Sequence, residues 1–276
     1  MAPKRNAAPT ELAPKRLTYY EHHGRVARRD TVKHDEERLA IIRESLPRDV
    51  RTILDVGCGV GLITRPLGQT HDVVGFDFSR EVHKNATEPR VCGLAPALPF
   101  KDACVDLVLA TQIFEHLTDA DLEAVARELV RVTRRYVLIT TTFRENLREA
   151  MIPCPACGTV FNAYGHLRTF DNESLRRTIP RCRVRLERLY ALARRYPRLF
   201  VAINQRLFGF WHYDLALLCT HCGHDVFPTG RRGLAHFSRL TNLMARWLPR
   251  PRRPARILML FEKDTRTHAP LTPRHT

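Results

Sequence analysis

The sequence predicts an α/β fold built on a mostly parallel β-sheet with helices on both faces. Three observations lead to this fold class. Apolar runs of strand length alternate with helical patterns as far as about residue 145, the first of these runs leads into a glycine-rich loop, and the second ends on an acidic residue. Alternating strands and helices favour parallel pairing, because each helix returns the chain to the edge where the next strand starts.

The predicted elements of the first half follow in a regular order. Residues 35–46 have an acidic first turn followed by apolar positions, which predicts a helix. Thr118-Asp-Ala-Asp121 has the pattern of a capping box and predicts an amphipathic helix that reaches about residue 132. Short apolar runs predict buried strands over residues 51–56, 71–77, 105–110 and 135–141.

The second half departs from this rhythm after residue 150. Residues 171–179 predict a capped helix and residues 183–192 an alternating strand, after which a long irregular stretch follows. A further helix is expected over 233–247 and a last strand over 255–261. The ends of the chain predict disordered tails over residues 1–17 and 265–276.

Basic residues are concentrated in the second half. The 276 residues include 45 Lys+Arg and 29 Asp+Glu, a formal net charge of +16, and residues 151–276 alone hold 22 basic and 7 acidic side chains. Such a region attracts phosphate, nucleic acid or an acidic membrane surface, although an arginine-rich composition explains it equally well. No run of about 18 uncharged apolar residues predicts a membrane-spanning helix. The first residues lack the apolar core of a signal peptide, so a cytoplasmic location is expected.

The strongest local signal is the loop Asp55-Val-Gly57-Cys-Gly59-Val-Gly61, placed between a strand and a helix. Glycines at such a turn let the backbone approach a ligand closely. A strand, a glycine loop and a helix in this order form a nucleotide-type site at the carboxyl edge of a parallel sheet. Asp77 ends the next strand 16 residues after Gly61, where a carboxylate can accept hydrogen bonds from ribose hydroxyls.

With these residues and three further stretches, the chain resembles the class I S-adenosylmethionine-dependent methyltransferases, in the broad subgroup that includes many small-molecule enzymes. The further stretches are Gly75-Phe-Asp77-Phe-Ser79, Leu98-Pro-Phe100 and Val105-Asp-Leu-Val-Leu-Ala-Thr-Gln-Ile-Phe-Glu-His-Leu117. The resemblance covers residues 35–145 well, and the strand pattern extends it to residue 262. It implies a Rossmann-like sheet of seven strands, mostly parallel with the last strand antiparallel, and S-adenosyl-L-methionine as the cofactor.

The resemblance also implies which residues bind the cofactor. Gly57, Gly59 and Gly61 are expected against its methionine part, and Asp77 at its ribose. The further cofactor-contacting residues that it implies are Asp55, Cys58, Phe78, Thr111 and, before the first helix, Tyr20. The family usually carries an acid that reads the adenine amine, whereas this chain has Gly93-Leu-Ala-Pro96 there, so backbone and apolar contacts are expected to hold the adenine.

Four of the eight cysteines form two near-identical pairs, Cys154-Pro-Ala-Cys157-Gly and Cys219-Thr-His-Cys222-Gly. Four thiolates presented by two such turns make a closed tetrahedral site. We therefore predict one structural Zn²⁺ with Cys154, Cys157, Cys219 and Cys222 as its ligands. A redox disulfide is one alternative, and two separate sites completed by His166, His221 or His224 are another.

The cysteine pairs also define the predicted domain organisation. Both lie in connections at the carboxyl edge of the expected sheet, where open parallel sheets bind their ligands. The loops after strands five and six, residues 151–168 and 193–250, are therefore expected to form a zinc-stapled cap that selects the substrate. The methyltransferase core is expected to comprise residues 18–150, 169–192 and 251–264.

Glu115, His116 and His166 are the candidate catalytic residues. Methyl transfer from a sulfonium is a direct displacement, so the enzyme must align the acceptor and, for a hydroxyl, remove its proton. Glu115 and His116 follow the fourth strand, whose end borders the methyl group in this fold, and histidine titrates near neutrality. His166 lies just beyond the first cysteine pair and is a base, a substrate ligand or a turn residue. For Glu115 and His116, the alternative is a scaffold role in bonding loop backbone.

The sequence therefore predicts an S-adenosylmethionine-dependent methyltransferase of a small-molecule, sugar or lipid-linked acceptor, with oxygen as the favoured acceptor atom. Residues 197–213 mix aromatic side chains with arginines, and can lie in a membrane interface, line an apolar substrate tunnel or pack the cap. A nucleic-acid methyltransferase acting on RNA is an alternative suggested by the basic second half, but no RNA-binding module is visible. A non-catalytic zinc- and cofactor-binding partner protein is a third hypothesis. An NAD-dependent dehydrogenase is a fourth, but the final Gly-x-x-Gly of its fingerprint is missing.

Overall fold

The computed structural model describes residues 29–84, 86–194, 218–225 and 252–264. The helices of these ranges are α1 (Arg29–Ser45), α2 (Thr64–Leu67), α3 (Asp119–Val132) and α4 (Asn172–Thr178). The strands are β1 (Thr52–Val56), β2 (Asp72–Asp77), β3 (Arg90–Cys92), β4 (Val105–Thr111), β5 (Thr133–Thr142), β6 (Met151–Pro153), β7 (Val160–Asn162), β8 (Cys182–Arg194) and β9 (Arg252–Lys263). No helix in these ranges is both long and apolar enough to span a bilayer.

Seven of the strands form one sheet in the order β3-β2-β1-β4-β5-β9-β8. The pairs from β3 to β5 are all parallel, whereas β9 runs antiparallel to both of its neighbours, β5 and β8. This arrangement confirms the predicted seven-stranded, mostly parallel sheet with an antiparallel last strand. The order reverses between β1 and β4, which places a switch point of the topology at their carboxyl ends.

Apolar side chains cover both faces of the sheet. Along β4, Leu107 and Leu109 point to the face covered by α1 and α2, while Val108 and Ala110 point to the face covered by α3 and α4. Strands buried on both sides need apolar residues at consecutive positions, which explains the short continuous apolar runs of the sequence. Thr118 caps α3 by accepting from the Asp121 N–H, and Asp171 caps α4 in a capping box with Ser174.

The chain between β5 and α4 forms a small separate element. The hairpin of β6 and β7 packs its own apolar cluster, in which Ile152 and Phe161 lie with the buried Cys154 and Cys219. Phe143 and Phe170 then pair through an isolated bridge, so the hairpin connection leaves the sheet and returns to it at nearly the same place.

The predicted elements agree with the structure except at their ends. The first helix begins at Arg29, six residues before the predicted start. The strands β1 and β2 each begin one residue later than predicted, whereas β4, β5, β8 and β9 are longer than predicted. Several predictions lie outside the described residues: the two tails, Tyr20, the aromatic segment 197–213, the helix over 233–247 and most of the cap expected over 193–250.

Candidate functional site

The glycine loop after β1 takes a backbone shape that other residues adopt with strain. Gly57, Gly59 and Gly61 have φ of 76°, 50° and 86°. A Cβ atom at Gly57 would collide with the side chain of Ile113, whereas a Cβ at Gly59 would meet nothing within 4 Å. The loop therefore packs tightly on one side and leaves open space at Gly59, as expected where a ligand approaches the backbone.

Asp77 joins the end of β2 to this loop. Its Oδ2 accepts from the Gly59 N–H and its Oδ1 from the Ser79 N–H, each at 2.9 Å. Each carboxylate oxygen has two lone pairs, so both can accept a further hydrogen bond. Asp77 thus shapes the loop and keeps acceptor capacity toward the space in front of it.

Asp55, Cys58 and Gly61 stabilise the loop from the protein interior. The Gly61 N–H donates to the Cys58 oxygen. A Cβ atom at Gly61 would collide with the side chains of Glu88 and Arg90. Asp55 is fully buried and accepts from Thr64 Oγ1 of α2 at 2.6 Å. Burial raises the pKa of Asp55 to about 6, although the Thr64 hydrogen bond opposes the shift. Burial likewise raises the pKa of the Cys58 thiol, which rules it out as a ready thiolate at neutral pH.

A second support for the loop comes from Arg90 of β3, which the sequence analysis did not single out. Its buried guanidinium donates to the backbone oxygens of Gly59 and Val82, and it forms an ion pair with Glu88. Burial raises the pKa of Glu88, but the hydrogen bond and charge of Arg90 outweigh it and bring that pKa to about 2. The ion pair holds the loop against the segment after β2.

A cavity of about 270 Å³ lies at the carboxyl ends of β1, β2 and β4. Five of the nine predicted cofactor residues form part of its wall: Gly57, Gly59, Asp77, Phe78 and Thr111. Gly93-Leu-Ala-Pro96 also lies in the wall, at the place where the family's usual acid is missing. His116 lines the cavity together with Ile113 and Leu117 from the segment after β4.

Gln112 is a wall residue that sequence reasoning missed. Its backbone has a φ of 53°, and its buried Nε2 has no hydrogen-bond partner among the described residues. Leaving a buried donor unpaired costs free energy, so a ligand acceptor in the cavity is the natural partner. The only sequence signal was a polar residue directly after an apolar strand.

The three predicted catalytic residues come together at one side of this cavity. Glu115 and His116 lie in a short turn of helix after β4, and His166 lies in the loop after β7. The rings of the two histidines meet edge to face with centroids 4.8 Å apart, and one ligand atom from each of the three residues lies within 4.8 Å of the other two. Two imidazoles and a carboxylate are also a set that can hold a divalent metal.

These residues differ in what they face. Glu115 is fully buried, and its Oε2 accepts from Thr141 Oγ1 at 2.8 Å, while its backbone oxygen accepts from the Leu167 N–H. His116 lines the cavity, and its Nδ1 lies 3.4 Å from the Gly165 oxygen. His166 contacts Glu145, a residue that the sequence analysis did not consider. The backbone of Glu115 bonds the loop that carries His166, which fits the scaffold alternative, and its catalytic role stays a prediction.

The four cysteines of the two C-x-x-C pairs form one cluster. Cys154 Sγ lies 3.7 Å from Cys222 Sγ, and Cys157 Sγ lies 3.7 Å from Cys219 Sγ. Two tight turns present them, in which the Gly158 N–H donates to the Cys154 oxygen and the Gly223 N–H to the Cys219 oxygen. Ligands of a tetrahedral zinc with bonds of about 2.3 Å are about 3.8 Å apart, so the spacing fits a Cys₄ site.

A disulfide and a histidine-completed site both fit these cysteines less well. All four are free thiols at more than bonding distance, and His166 lies instead against Glu145 and His116. Within the described residues, the metal-ligand cluster at this place consists of the four thiols and includes neither His221 nor His224.

Comparison with known proteins agrees with this site. A family model described as a methyltransferase domain matches residues 54–139, from β1 into β5. This span contains the glycine loop, Asp77, Glu115 and His116. Among solved structures, a SAM-dependent methyltransferase from Thermotoga maritima aligns with a TM-score of 0.52 at 16% identity, covering 90% of this chain and 98% of that one. At that identity the likeness shows the fold.

Two curated relatives match over shorter stretches. The mitochondrial ubiquinone biosynthesis O-methyltransferase of Mus musculus is 29% identical over 130 residues, covering 38% of this chain and 35% of that protein. Malonyl-[acyl-carrier protein] O-methyltransferase 1 of Coxiella burnetii is 32% identical over 102 residues, covering 35% and 36%. The chain spans about a third of the length of these relatives. Together with the fold, they support the class I S-adenosylmethionine-dependent methyltransferases as its class.

Proposed function

We propose that the protein is an S-adenosylmethionine-dependent methyltransferase that methylates an oxygen of a small-molecule or lipid-linked acceptor. The observation that carries this proposal is a single cavity with the glycine loop and Asp77 on one side and His116 on the other. The names of the relatives, an O-methyltransferase of ubiquinone biosynthesis and one of malonyl-[acyl-carrier protein], support oxygen as the acceptor atom.

The cavity wall offers a matching group for each part of the cofactor. Asp77 is the acceptor for the ribose hydroxyls, because its oxygens keep lone pairs beyond the two backbone N–H groups that they bind. Gly59 leaves room for the methionine part. Gly93-Leu-Ala-Pro96 would hold the adenine ring through apolar and backbone contacts, since this part of the cavity wall carries no acidic residue.

Bound S-adenosylmethionine supplies an electrophilic methyl group. Of the two histidines, His116 is the one that lines the cavity. It is therefore the residue that accepts the proton of an acceptor hydroxyl. Glu115 and His166 act from outside the cavity wall. The buried side chain of Glu115 bonds Thr141 and so holds the turn that also carries His116, and the ring of His166 packs against the ring of His116. Ile113 and Leu117, which line the cavity together with His116, are apolar, and apolar neighbours limit the access of water to the reacting atoms.

Radiolabelled methyl transfer tests this proposal. The full chain is incubated with S-adenosylmethionine labelled in its methyl group and a panel of phenols, carboxylic acids, sugars and total RNA. We expect label in an oxygen-bearing small molecule, and a loss of about a hundredfold or more in His116→Ala, because a general base contributes at least that much. His71→Ala, remote from the cavity, is the control. Label that enters only the RNA would overturn the small-molecule proposal.

Ion pairs within the described residues of the second half weaken the argument for RNA. Six arginines of the basic second half each form an ion pair with a carboxylate within the described residues: Arg168, Arg176, Arg177, Arg183, Arg185 and Arg188. Arginines paired in this way attract phosphate less than unpaired ones do. Part of the positive charge of the second half is therefore balanced by carboxylates of the same chain.

We also propose that the four-cysteine cluster holds a structural Zn²⁺. Two observations support it: the sulfur spacing and the two matched turns that present the thiols. Four thiolates leave no open coordination position, so the metal would join the β6–β7 hairpin to residues 218–225 and take no part in the reaction. The acceptor would then be selected by the loops that this metal joins.

A further inference from the structure

A carboxylate outside the predicted catalytic set holds one of the histidines at the cavity. Glu145 lies three residues after the end of β5, and its Oε2 lies 2.6 Å from Nδ1 of His166. Both side chains are largely shielded from solvent, 22% exposed for Glu145 and 10% for His166. The contact joins the segment after β5 to the loop after the hairpin, across 21 positions of the chain.

Glu145 is fixed in place and ionised. Its backbone N–H donates to Thr169 Oγ1 at 2.6 Å. Burial raises the pKa of Glu145, but the hydrogen bond and charge of His166 lower it by more, so the pKa ends below its ordinary value. An ionised carboxylate only accepts hydrogen bonds, and therefore Nδ1 of His166 carries the hydrogen.

His166, held by Glu145, contacts the histidine that lines the cavity. Its ring lies edge to face against the ring of His116, with centroids 4.8 Å apart, and the ring of Tyr164 packs at 5.6 Å. Its own backbone N–H and that of Tyr164 both donate to Oδ1 of the buried Asn162, which fixes the loop. His116 lines the cavity and His166 does not, so the order from outside to inside is Glu145, His166, His116.

We propose that Glu145 is a positioning residue of the acceptor site, which fixes the tautomer and orientation of His166 and, through that ring, the orientation of His116 at the cavity wall. A carboxylate that holds an imidazole in this way is a general means of setting which ring nitrogen keeps its lone pair. A catalytic role for the series Glu145, His166 and His116 rests on the proposed function, whereas the contacts between these residues do not depend on it. The competing interpretation is that Glu145 merely anchors the loop.

Nuclear magnetic resonance of the imidazole groups separates the two interpretations. With the full chain labelled in ¹⁵N, we expect one far-downfield imidazole N–H proton, protected by its bond to the carboxylate. It should vanish in His166→Ala and in Glu145→Ala, persist in Glu145→Asp, and move upfield in Glu145→Gln, which keeps an acceptor oxygen without the charge. The ring signals of His116 should shift in His166→Ala and Glu145→Ala. Glu123→Ala, an exposed carboxylate paired with Arg127 on α3, should change none of these signals.

Activity adds a second, independent readout. With a methylated small-molecule acceptor, kcat should fall about tenfold or more in Glu145→Ala and be largely restored in Glu145→Asp, while the affinity for S-adenosylmethionine stays unchanged. An anchoring role would instead weaken cofactor binding and thermal stability together.

Two results would overturn the inference: no downfield imidazole proton in the unchanged protein, or a Glu145→Ala variant in which that proton and the His116 signals stay as they were. If no acceptor is methylated, the proposed function fails, and the resonance experiment still decides the role of Glu145.

Discussion

The cavity beside the glycine loop is built differently from a second region, which comprises Glu145, His166 and the four clustered cysteines. The cavity takes its wall from residues 56–117, and the candidate functional residues there lie at the end of a strand of the parallel sheet or shortly after it. The second region takes Glu145 from the segment after β5, His166 from the loop after β7, and its thiols from segments 62 to 68 positions apart. The first region can form from local elements in sequence order, whereas the second needs distant segments to meet.

This difference predicts that the two regions can be damaged separately. The cavity depends on backbone shape at the glycine loop, while the second region depends on side-chain contacts and on the Zn²⁺ that we propose for the cysteine cluster. His116 is the residue at which they touch. Variants of either region are therefore scored for two properties, zinc content and affinity for S-adenosylmethionine.

The largest effect is expected at the buried thiol Cys154. Cys154→Ser removes one of four ligands, so the protein should lose its zinc and several kcal/mol of stability, roughly 10 °C or more in Tm. Because the cavity wall lies elsewhere, the affinity for S-adenosylmethionine should stay within about threefold. Metal analysis, thermal unfolding and calorimetric titration measure the three quantities, with the exposed lone Cys92→Ser as control. A zinc content equal to that of the unchanged protein would refute the assigned ligand.

A smaller effect is expected from the buried charge of Asp55. Its pKa is raised to about 6 in the folded protein from an ordinary 3.8, so the folded state binds the proton more tightly than the unfolded state does. The free energy of unfolding should therefore fall as pH rises from about 4 to about 6, by up to about 3 kcal/mol, and this contribution should be constant above that range. Asp55→Asn keeps an acceptor for Thr64 and should lack this pH dependence.

The difference in unfolding free energy between the unchanged protein and Asp55→Asn, followed by denaturant titration across that pH range, isolates this contribution from other acids. A difference that does not vary with pH would show that folding does not raise the pKa of Asp55.

Substitutions at two glycines, one in each region, should have still smaller effects, each on one of the two measured properties. Gly57 and Gly158 both have positive φ, 76° in the cofactor loop and 72° in the first cysteine turn. Alanine in such a conformation costs about 1–3 kcal/mol. Gly57→Ala should weaken S-adenosylmethionine binding about tenfold or more, since it also collides with Ile113, and leave zinc content unchanged. Gly158→Ala should lower the zinc content and leave S-adenosylmethionine binding unchanged. Equal loss of both properties in either variant would mean that the regions are not independent.

The sequence made the first region predictable because its signals are local. The glycine loop, the strand before it and Asp77 lie within about 25 residues, and the apolar runs fall on strands buried on both faces. The cysteine cluster could also be predicted, although its halves are far apart, because four thiols in two matched turns have few other uses.

The contacts that sequence reasoning missed depend on side-chain geometry in the folded chain. No sequence motif around Glu145 predicts its contact with His166, because the two side chains meet only where the chain returns to the sheet after the hairpin. Arg90 looks like an ordinary surface residue until its guanidinium is seen between two backbone oxygens. Gln112 has a positive φ, which cannot be predicted from its residue type.

The most direct test of the account is calorimetric titration of the full chain with S-adenosylmethionine, beside Asp77→Asn and His116→Ala. Asp77 accepts from the glycine loop and faces the cavity, so its substitution should weaken binding about tenfold or more, because hydrogen bonds to a charged acceptor contribute about 1.5–3 kcal/mol. His116→Ala should bind the cofactor nearly as well as the unchanged protein, because its role lies with the acceptor. One saturable site with this pattern supports a methyltransferase. No binding to the unchanged protein, or equal affinity in Asp77→Asn, would contradict it.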